Sequence, residues 1–241
     1  MEILALIPAR GGSKGVPKKN IKLLDNFPLL SYSIAAAKLS QNITRVIVST
    51  DSQEIADIAQ KFGAEVPFLR PKHLANDISQ DIDFVQHCLE YLETQEGYTP
   101  DYIVLLRPTT PLRETAHIDK AIEKFQNTKN ATSLRSSHEA PESPFKWFGL
   151  ENEFYTSICE EVALEETNKP RQSFKSVYVP NGYVDILKPD YVKNSTEIYG
   201  KEILSYITPD GYEIDTLEEF EYIEYRLVKK GTELHKYLDK K

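Results

Sequence analysis

The 241-residue sequence predicts an α/β fold, a three-layer arrangement around a mostly parallel sheet, and three observations carry that reading. Short apolar, β-branched runs alternate with stretches whose apolar residues recur at helical spacing. The first run, Ile3-Leu4-Ala5-Leu6-Ile7, opens into a glycine-rich basic loop, where parallel sheets place their ligands. A later run, Tyr102-Ile103-Val104-Leu105-Leu106, is apolar without alternation, as a strand covered on both faces must be.

The remaining elements follow in order. Between Pro28 and Leu39, Leu30, Ile34 and Ala37 mark a helix, and Arg45 to Thr50 is a second parallel strand. Ser52 begins a helix with Ile55, Ile58, Ala59 and Phe62 on one face, closed by Gly63, and Glu65 to Arg70 is a short extended piece. A long amphipathic helix spans Ser79 to Glu96. The strand from Asp101 runs directly into Pro108 to Arg113, which sets Arg107, Thr109, Thr110 and Arg113 at the ligand edge. Thr115 leads a helix carrying Ile118, Ala121, Ile122 and Phe125, followed by a strand over Ala131 to Ser136.

From 137 to 179 the periodicity fails, with Pro141, Pro144 and Pro170, the single Trp147 and short acidic pieces. A stretch this long without regular pattern is either packed on its own domain or functional. Phe145, Trp147 and Phe148 carry more aromatic surface than a solvated loop, which favours a dimerisation arm. Order returns with strands at Gly182 to Leu187 and Ile203 to Ile207. Thr216 and Glu219 then form a capping box for a helix bearing Phe220, Ile223 and Leu227 up to Gly231. Residues 1–241 are read as one domain, with 137–179 as an arm within it.

Composition narrows the function. Hydrophobic residues at 40% and charged ones at 27% are ordinary for a globular protein. A net charge of −8 argues against nucleic acid as a partner. No run approaches the roughly 20 apolar residues of a membrane helix, and no signal-like leader precedes the first strand, so a cytoplasmic protein is expected. Cys88 and Cys159 lack metal-like spacing, and no H-E-x-x-H is present.

Positive charge gathers in the opening loop, where Arg10, Lys14, Lys18 and Lys19 surround Gly11, Gly12 and Gly15. Glycines let a backbone turn N–H groups toward an anion, and the cations add charge-assisted donors, which suits a nucleoside triphosphate. A solvated basic turn is the plainer alternative. Neither G-x-x-x-x-G-K-[ST] nor G-x-G-x-x-G is present. Near the other end, Glu213 and Asp215 alternate on an extended segment and so face one side, enough for Mg²⁺ together with phosphate oxygens. Acids just before a helix also serve its dipole.

The motif Ile7-Pro8-Ala9-Arg10-Gly11-Gly12-Ser13-Lys14-Gly15-Val16-Pro17-Lys18-Lys19-Asn20 resembles the opening signature of the CMP-acylneuraminate synthetases, nucleotidyltransferases that activate sialic acids and related nine-carbon sugars. The resemblance extends along most of the chain. It implies a Rossmann-like nucleotidyltransferase fold, a homodimer, and transfer of CMP from CTP to a nonulosonic acid, of sialic or legionaminic type, with release of pyrophosphate. Arg10, Lys14 and Lys19 would contact phosphates in a nucleotide-binding loop that includes Gly11, Gly12 and Ser13, Asn20 would hold the ribose, and Arg70 the base. Arg10, Lys14 and Asp215 would be the catalytic groups. The family's Asp-Ile-Asp-Thr segment corresponds to Glu213-Ile214-Asp215-Thr216, with Glu213 a longer first ligand. Arg171 falls to the nucleotide and Gln172 and Asn181 to the sugar side of the pocket, while Lys146 on the arm would act in a partner's site.

Three departures concern the substrate. Arg107 stands where sialate-activating members have Gln, Asp185 where they have Tyr, and Asp81 near a Ser that contacts cytosine. Read as free groups facing the ligand, they admit an alternative: a guanylyltransferase on the same scaffold using GTP and a hexosamine 1-phosphate, with Asp81 meeting guanine's N–H donors. A nucleotide-binding protein without turnover is the third reading. The retained Arg10, Lys14, Arg171 and Asp215 argue against it.

Overall fold

The computed structural model describes residues 1–209 and 212–241. The chain begins with β1 (Ile3–Pro8) and, after the basic loop, a short antiparallel pair, β2 (Leu23–Leu24) and β3 (Phe27–Pro28). There follow α1 (Leu29–Leu39), β4 (Arg45–Ser49), α2 (Gln53–Lys61), α3 (Asp81–Glu96), β5 (Tyr102–Leu105) and α4 (Thr115–Gln126). The second half holds β6 (Ser133–Glu139), a hairpin of β7 (Phe148–Glu151) and β8 (Phe154–Ser157), and β9 (Tyr178–Leu187). It closes with α5 (Pro189–Lys193), β10 (Ile203–Ile207), α6 (Leu217–Lys230) and α7 (Glu233–Leu238).

The main sheet has six strands in the order β10-β6-β9-β5-β1-β4. All pairings are parallel except those of β9, which runs against both β5 and β6. The reversal follows from the arm: Glu139 at the end of β6 pairs with Tyr178 at the start of β9, so residues 140–177 are the loop of one very long hairpin. Antiparallel neighbours need no crossover helix, and the excursion can leave and return at the same sheet edge.

Side chains of β1 alternate between two cores, as a strand's period of two requires. Ala5 and Ile7 face the larger one, built with α1, α4, α6 and α7, while Leu4 and Leu6 face the smaller one, built with α3 and α5. These are the expected three layers. Ser52 caps α2, and Thr216 with Glu219 forms the capping box of α6, both as the sequence indicates. Among the described residues no helix is long and apolar enough to cross a membrane.

Within the arm, β7 and β8 pair through a turn at Asn152 and Glu153, both at positive φ. The hairpin buries little. Trp147, Phe148, Leu150, Phe154 and Tyr155 are all exposed, and Phe148 stacks on Tyr155 at 5.0 Å.

Candidate active site

The loop after β1 is fixed at both ends before any ligand arrives. Ala9 donates its N–H to the Ser49 carbonyl at 3.0 Å, and Asn20, buried, donates to the Arg10 carbonyl at 2.9 Å. The Gly11 N–H points to Asp51 Oδ1 at 2.8 Å, so it is turned to a side chain and not to an open anion site. Gly15 has a different reason to be glycine: a Cβ there would collide with the Asp215 carbonyl oxygen. Only around Gly12 is the space open. None of these glycines adopts positive φ, which Lys18 does at 52°. The glycines therefore serve loop packing more than direct approach to a ligand. Gly15→Ala is expected to cost about 1–3 kcal/mol of stability by overpacking and to lower turnover as the 213–216 segment shifts; thermal melting and kcat check both.

Lys19 ties this loop to that segment, its Nζ donating to the Ile214 carbonyl at 2.7 Å and pairing with Asp215 Oδ1 at 3.1 Å. Lys19 is nearly buried, whereas the Asp215 side chain is 72% exposed. Together they border a cleft of about 430 Å³ that also takes in Arg10, Ser13, Lys14, Asn20, Arg70, Asp81 and Arg107. Two of the loop cations already hold an anion. Asp77 pairs with Lys14 at 2.6 Å and with Arg10 at 3.1 Å, and Arg10 also donates to the Asn76 carbonyl at 3.0 Å. Lys14 first, and Arg10 with it, hold the Asp77 carboxyl below the ordinary carboxylate range.

On the opposite wall Arg70 is buried beneath the cleft surface. Its Nε donates to Ser49 Oγ at 3.0 Å, its Nη2 to the Ser49 carbonyl at 2.6 Å, and its guanidinium lies over the Phe84 ring at 4.7 Å. Burial lowers its pKa to about 10, which leaves it cationic at neutral pH.

The substrate departures are one network. Arg107 Nη1 donates to Asp185 Oδ2 at 2.7 Å and Nη2 to Asp81 Oδ2, while Tyr199 donates its hydroxyl to the same Asp185 oxygen at 2.8 Å. Asp185 is wholly buried, in register between Leu105 of β5 and Arg135 of β6. It does not face a sugar, because it is turned inward to neutralise Arg107, and Arg107 is correspondingly no free cation at the edge. The guanylyltransferase reading treated these groups as open to substrate and loses that support. Arg113 is corrected likewise: it is fully buried, with Nε on the Tyr183 carbonyl, Nη1 on Ser33 and Nη2 on the Arg107 and Gly182 carbonyls.

Glu213 and Asp215 do not sit as a matched pair. Glu213 Oε1 accepts the Gly182 N–H, and Asp215 alone of the two borders the cleft. Asn181 is buried, donating to Thr208 Oγ1 at 2.9 Å. Lys146, Arg171 and Gln172 stay out of the chain's own cleft. Lys146 Nζ donates to the Lys169 carbonyl, Arg171 pairs with Glu139 at 3.1 Å, and Arg171 and Gln172 line a separate cavity of about 410 Å³ at the arm. Asp77 and Tyr199 were not singled out from the sequence. Asp77 lies in a polar turn, and Tyr199 carried only the faint signal of the following glycine, Gly200 at φ 74°.

A family model described as Cytidylyltransferase matches residues 4–235. The chain belongs to the cytidylyltransferase family. Among curated cytidylyltransferase relatives, a CMP-N,N'-diacetyllegionaminic acid synthase of Campylobacter jejuni is 32% identical over 235 residues, covering 95% of this chain and 97% of that one. The post-translational flagellin modification protein B of Campylobacter coli is 33% identical over 232 residues, with 95% and 97% covered. An N-acylneuraminate cytidylyltransferase of Escherichia coli is 32% identical over 222 residues, 91% of this chain but 51% of that longer protein. Of solved structures, a CMP:2-keto-3-deoxy-manno-octonic acid synthetase complexed with CTP shares the fold at TM-score 0.71 and 13% identity, with 95% and 100% covered. The resemblance carried by the loop from Ile7 to Asn20 is thereby borne out, as is the nucleotidyltransferase class of enzyme.

Proposed function

We propose that this cytidylyltransferase transfers CMP from CTP to the anomeric hydroxyl of a nonulosonic acid, releasing pyrophosphate. The observation that carries the reading is the meeting of Arg10, Lys14, Lys19 and Asp215 on one cleft, joined through Lys19, whereas Lys18 is turned to Glu54. The acceptor oxygen bonds to the α-phosphorus, the bond from that phosphorus to the bridging oxygen breaks, and the hydroxyl proton passes to solvent. Charge then grows on the leaving pyrophosphate, where Arg10, Lys14 and Lys19 would lie. The substrates for which the relatives are named, N,N'-diacetyllegionaminic and N-acylneuraminic acids, support a nonulosonic acid acceptor.

The residues fit Mg²⁺. Asp215 is open to the cleft and its carboxylate is held, among the described residues, by Lys19, while Glu213 Oε2 accepts no hydrogen bond among the described residues, and Mg²⁺ takes one or two carboxylates plus phosphate oxygens and water. Bound there, the ion would offset charge on the α-phosphate. Asn20, ordered by the Arg10 carbonyl, would orient the ribose, and Arg70 the base.

The same proposal includes a homodimer. The arm exposes aromatic surface that none of the described residues covers, and its Lys146, Arg171 and Gln172 lie away from their own cleft, which suits delivery to a partner's. Cys88 and Cys159 are both free, in keeping with a cytoplasmic setting. Sedimentation is expected to give twice the monomer mass, with Phe148→Glu shifting the protein to monomer and reducing turnover; a monomeric, fully active wild type would refute the arm's role. Pyrophosphate release with Mg²⁺, CTP and a panel of nonulosonic acids tests the activity itself. Turnover with hexosamine 1-phosphates and GTP instead would overturn it.

A further inference from the structure

We propose that Glu219 is a positioning residue, fixing the backbone from which Asp215 reaches Mg²⁺. The inference rests on the reading of Asp215 as a ligand of that ion, and it gives Glu219 a task beyond the capping box of α6. In such a box the third helical residue accepts the N–H of the cap residue alone. Here a single oxygen, Glu219 Oε2, accepts two, from Thr216 at 2.9 Å and from Asp215 at 2.7 Å. The bond to Asp215 is the shorter and is no part of the capping motif. Side chains on a helix lean toward its N-terminus, so the first turn of α6 aims Glu219 back at the residue before the cap.

The neighbours of Asp215 are tied from other parts of the chain. Glu213 Oε1 accepts the Gly182 N–H, the wholly buried Ile214 donates its N–H to the Thr109 carbonyl at 2.9 Å, and its carbonyl accepts from Lys19 Nζ at 2.7 Å. Glycine is required on both sides of the segment. A Cβ at Gly182 would collide with Glu213 Oε1, and one at Gly15 with the Asp215 carbonyl oxygen. From Ile214 to Thr216 every backbone N–H is therefore committed, and two of the three go to Glu219. What stays open is the Asp215 carboxylate, 72% exposed and paired with Lys19.

An aspartate side chain is short, so the reach of its carboxylate is set largely by its own backbone. Mg²⁺ demands near-ideal octahedral geometry and tolerates little error in where a ligand is placed. Glu219 bonds the main chain of Asp215 and not its carboxylate, so it governs direction without competing for the ion. Loss of an outer partner of this kind commonly lowers metal affinity by about 10–100-fold. A glutamate that only caps would change melting and leave the ion's contribution alone.

The readout is the gain in CTP affinity that Mg²⁺ confers, the ratio of Kd in EDTA to Kd in Mg²⁺, measured by calorimetry without acceptor and set beside thermal melting. Glu219→Ala is expected to reduce this gain roughly tenfold, and Glu219→Gln, which keeps an accepting oxygen, to restore most of it. Thr216→Ala removes the other half of the box, where Thr216 Oγ1 accepts the Glu219 N–H at 3.2 Å, yet leaves the Asp215 N–H its acceptor. It is expected to lower the melting temperature by a few degrees, as Glu219→Ala does, and to keep the gain. Equal loss of the gain in Thr216→Ala and Glu219→Ala overturns the proposal. A gain lost in Asp215→Asn but kept in Glu219→Ala also refutes it, and refutes it alone. A gain that Asp215→Asn leaves unchanged refutes the Mg²⁺ reading of Asp215, and this one with it.

Discussion

Asp215→Asn is expected to lower kcat by at least about a hundredfold while leaving CTP affinity close to that of the wild type. The two quantities separate because of Lys19. In the unliganded chain Lys19 is paired with Asp215, so removing the carboxylate releases a nearly buried cation for phosphate just as it removes the group proposed to hold Mg²⁺. Ground-state binding is thus compensated. Charge that develops only during transfer is not, and the loss falls on the chemical step. Calorimetry of CTP binding beside single-turnover kinetics reads both, and an unaltered rate would show that Asp215 serves only to hold Lys19.

Arg107→Gln is expected to destabilise the fold by about 3–5 kcal/mol, because it strands a buried carboxylate. Asp185 is fully enclosed and its Oδ1 already lacks a hydrogen-bond partner among the described residues. The Tyr199 hydroxyl is a single donor and does not replace a guanidinium. At the usual sensitivity of about 2–4 °C per kcal/mol for a chain of this size, the melting temperature should fall by roughly 10 °C. Adding Asp185→Asn should recover much of that loss, since the uncompensated charge goes with it. Equal melting temperatures for wild type and Arg107→Gln would mean that the pair contributes nothing to the folded state. The substitution concerns the residue that sialate-activating relatives are expected to carry, so it also measures how far this position depends on its neighbours.

The sequence was legible where local rules decide the outcome. Apolar periodicity located α1 to α4 and α6, the helix caps at Ser52 and Thr216 were readable from residue type, and Arg10, Lys14 and Lys19 together with Asp215 did converge on one cleft, though Lys18 pairs with Glu54 instead. Direction and orientation were less accessible. Nothing in Gly182 to Leu187 says that β9 runs backward, because that is fixed by where the arm leaves and rejoins the sheet. The β7 and β8 strands are four residues each, joined through Asn152 and Glu153 without a glycine, and so leave only the weak turn signal of a single asparagine. Asp185, Arg107 and Asp81 were each visible as unusual, but partnership across 104 residues of chain, from Asp81 to Asp185, is a tertiary fact. Read singly they looked like ligand contacts; together they are mostly one another's partners.

The Asp77 bridge changes how nucleotide capture should be pictured. Since Arg10 and Lys14 are already matched by a carboxylate, an arriving triphosphate exchanges one anion for another and does not enter a bare positive field. The number of salt ions set free on binding is therefore smaller than the number of cations touched, and affinity should decline less steeply with ionic strength than the loop's composition suggests. When pyrophosphate departs, the same carboxylate is at hand to take its place, so the outgoing product faces a competitor that never diffuses away.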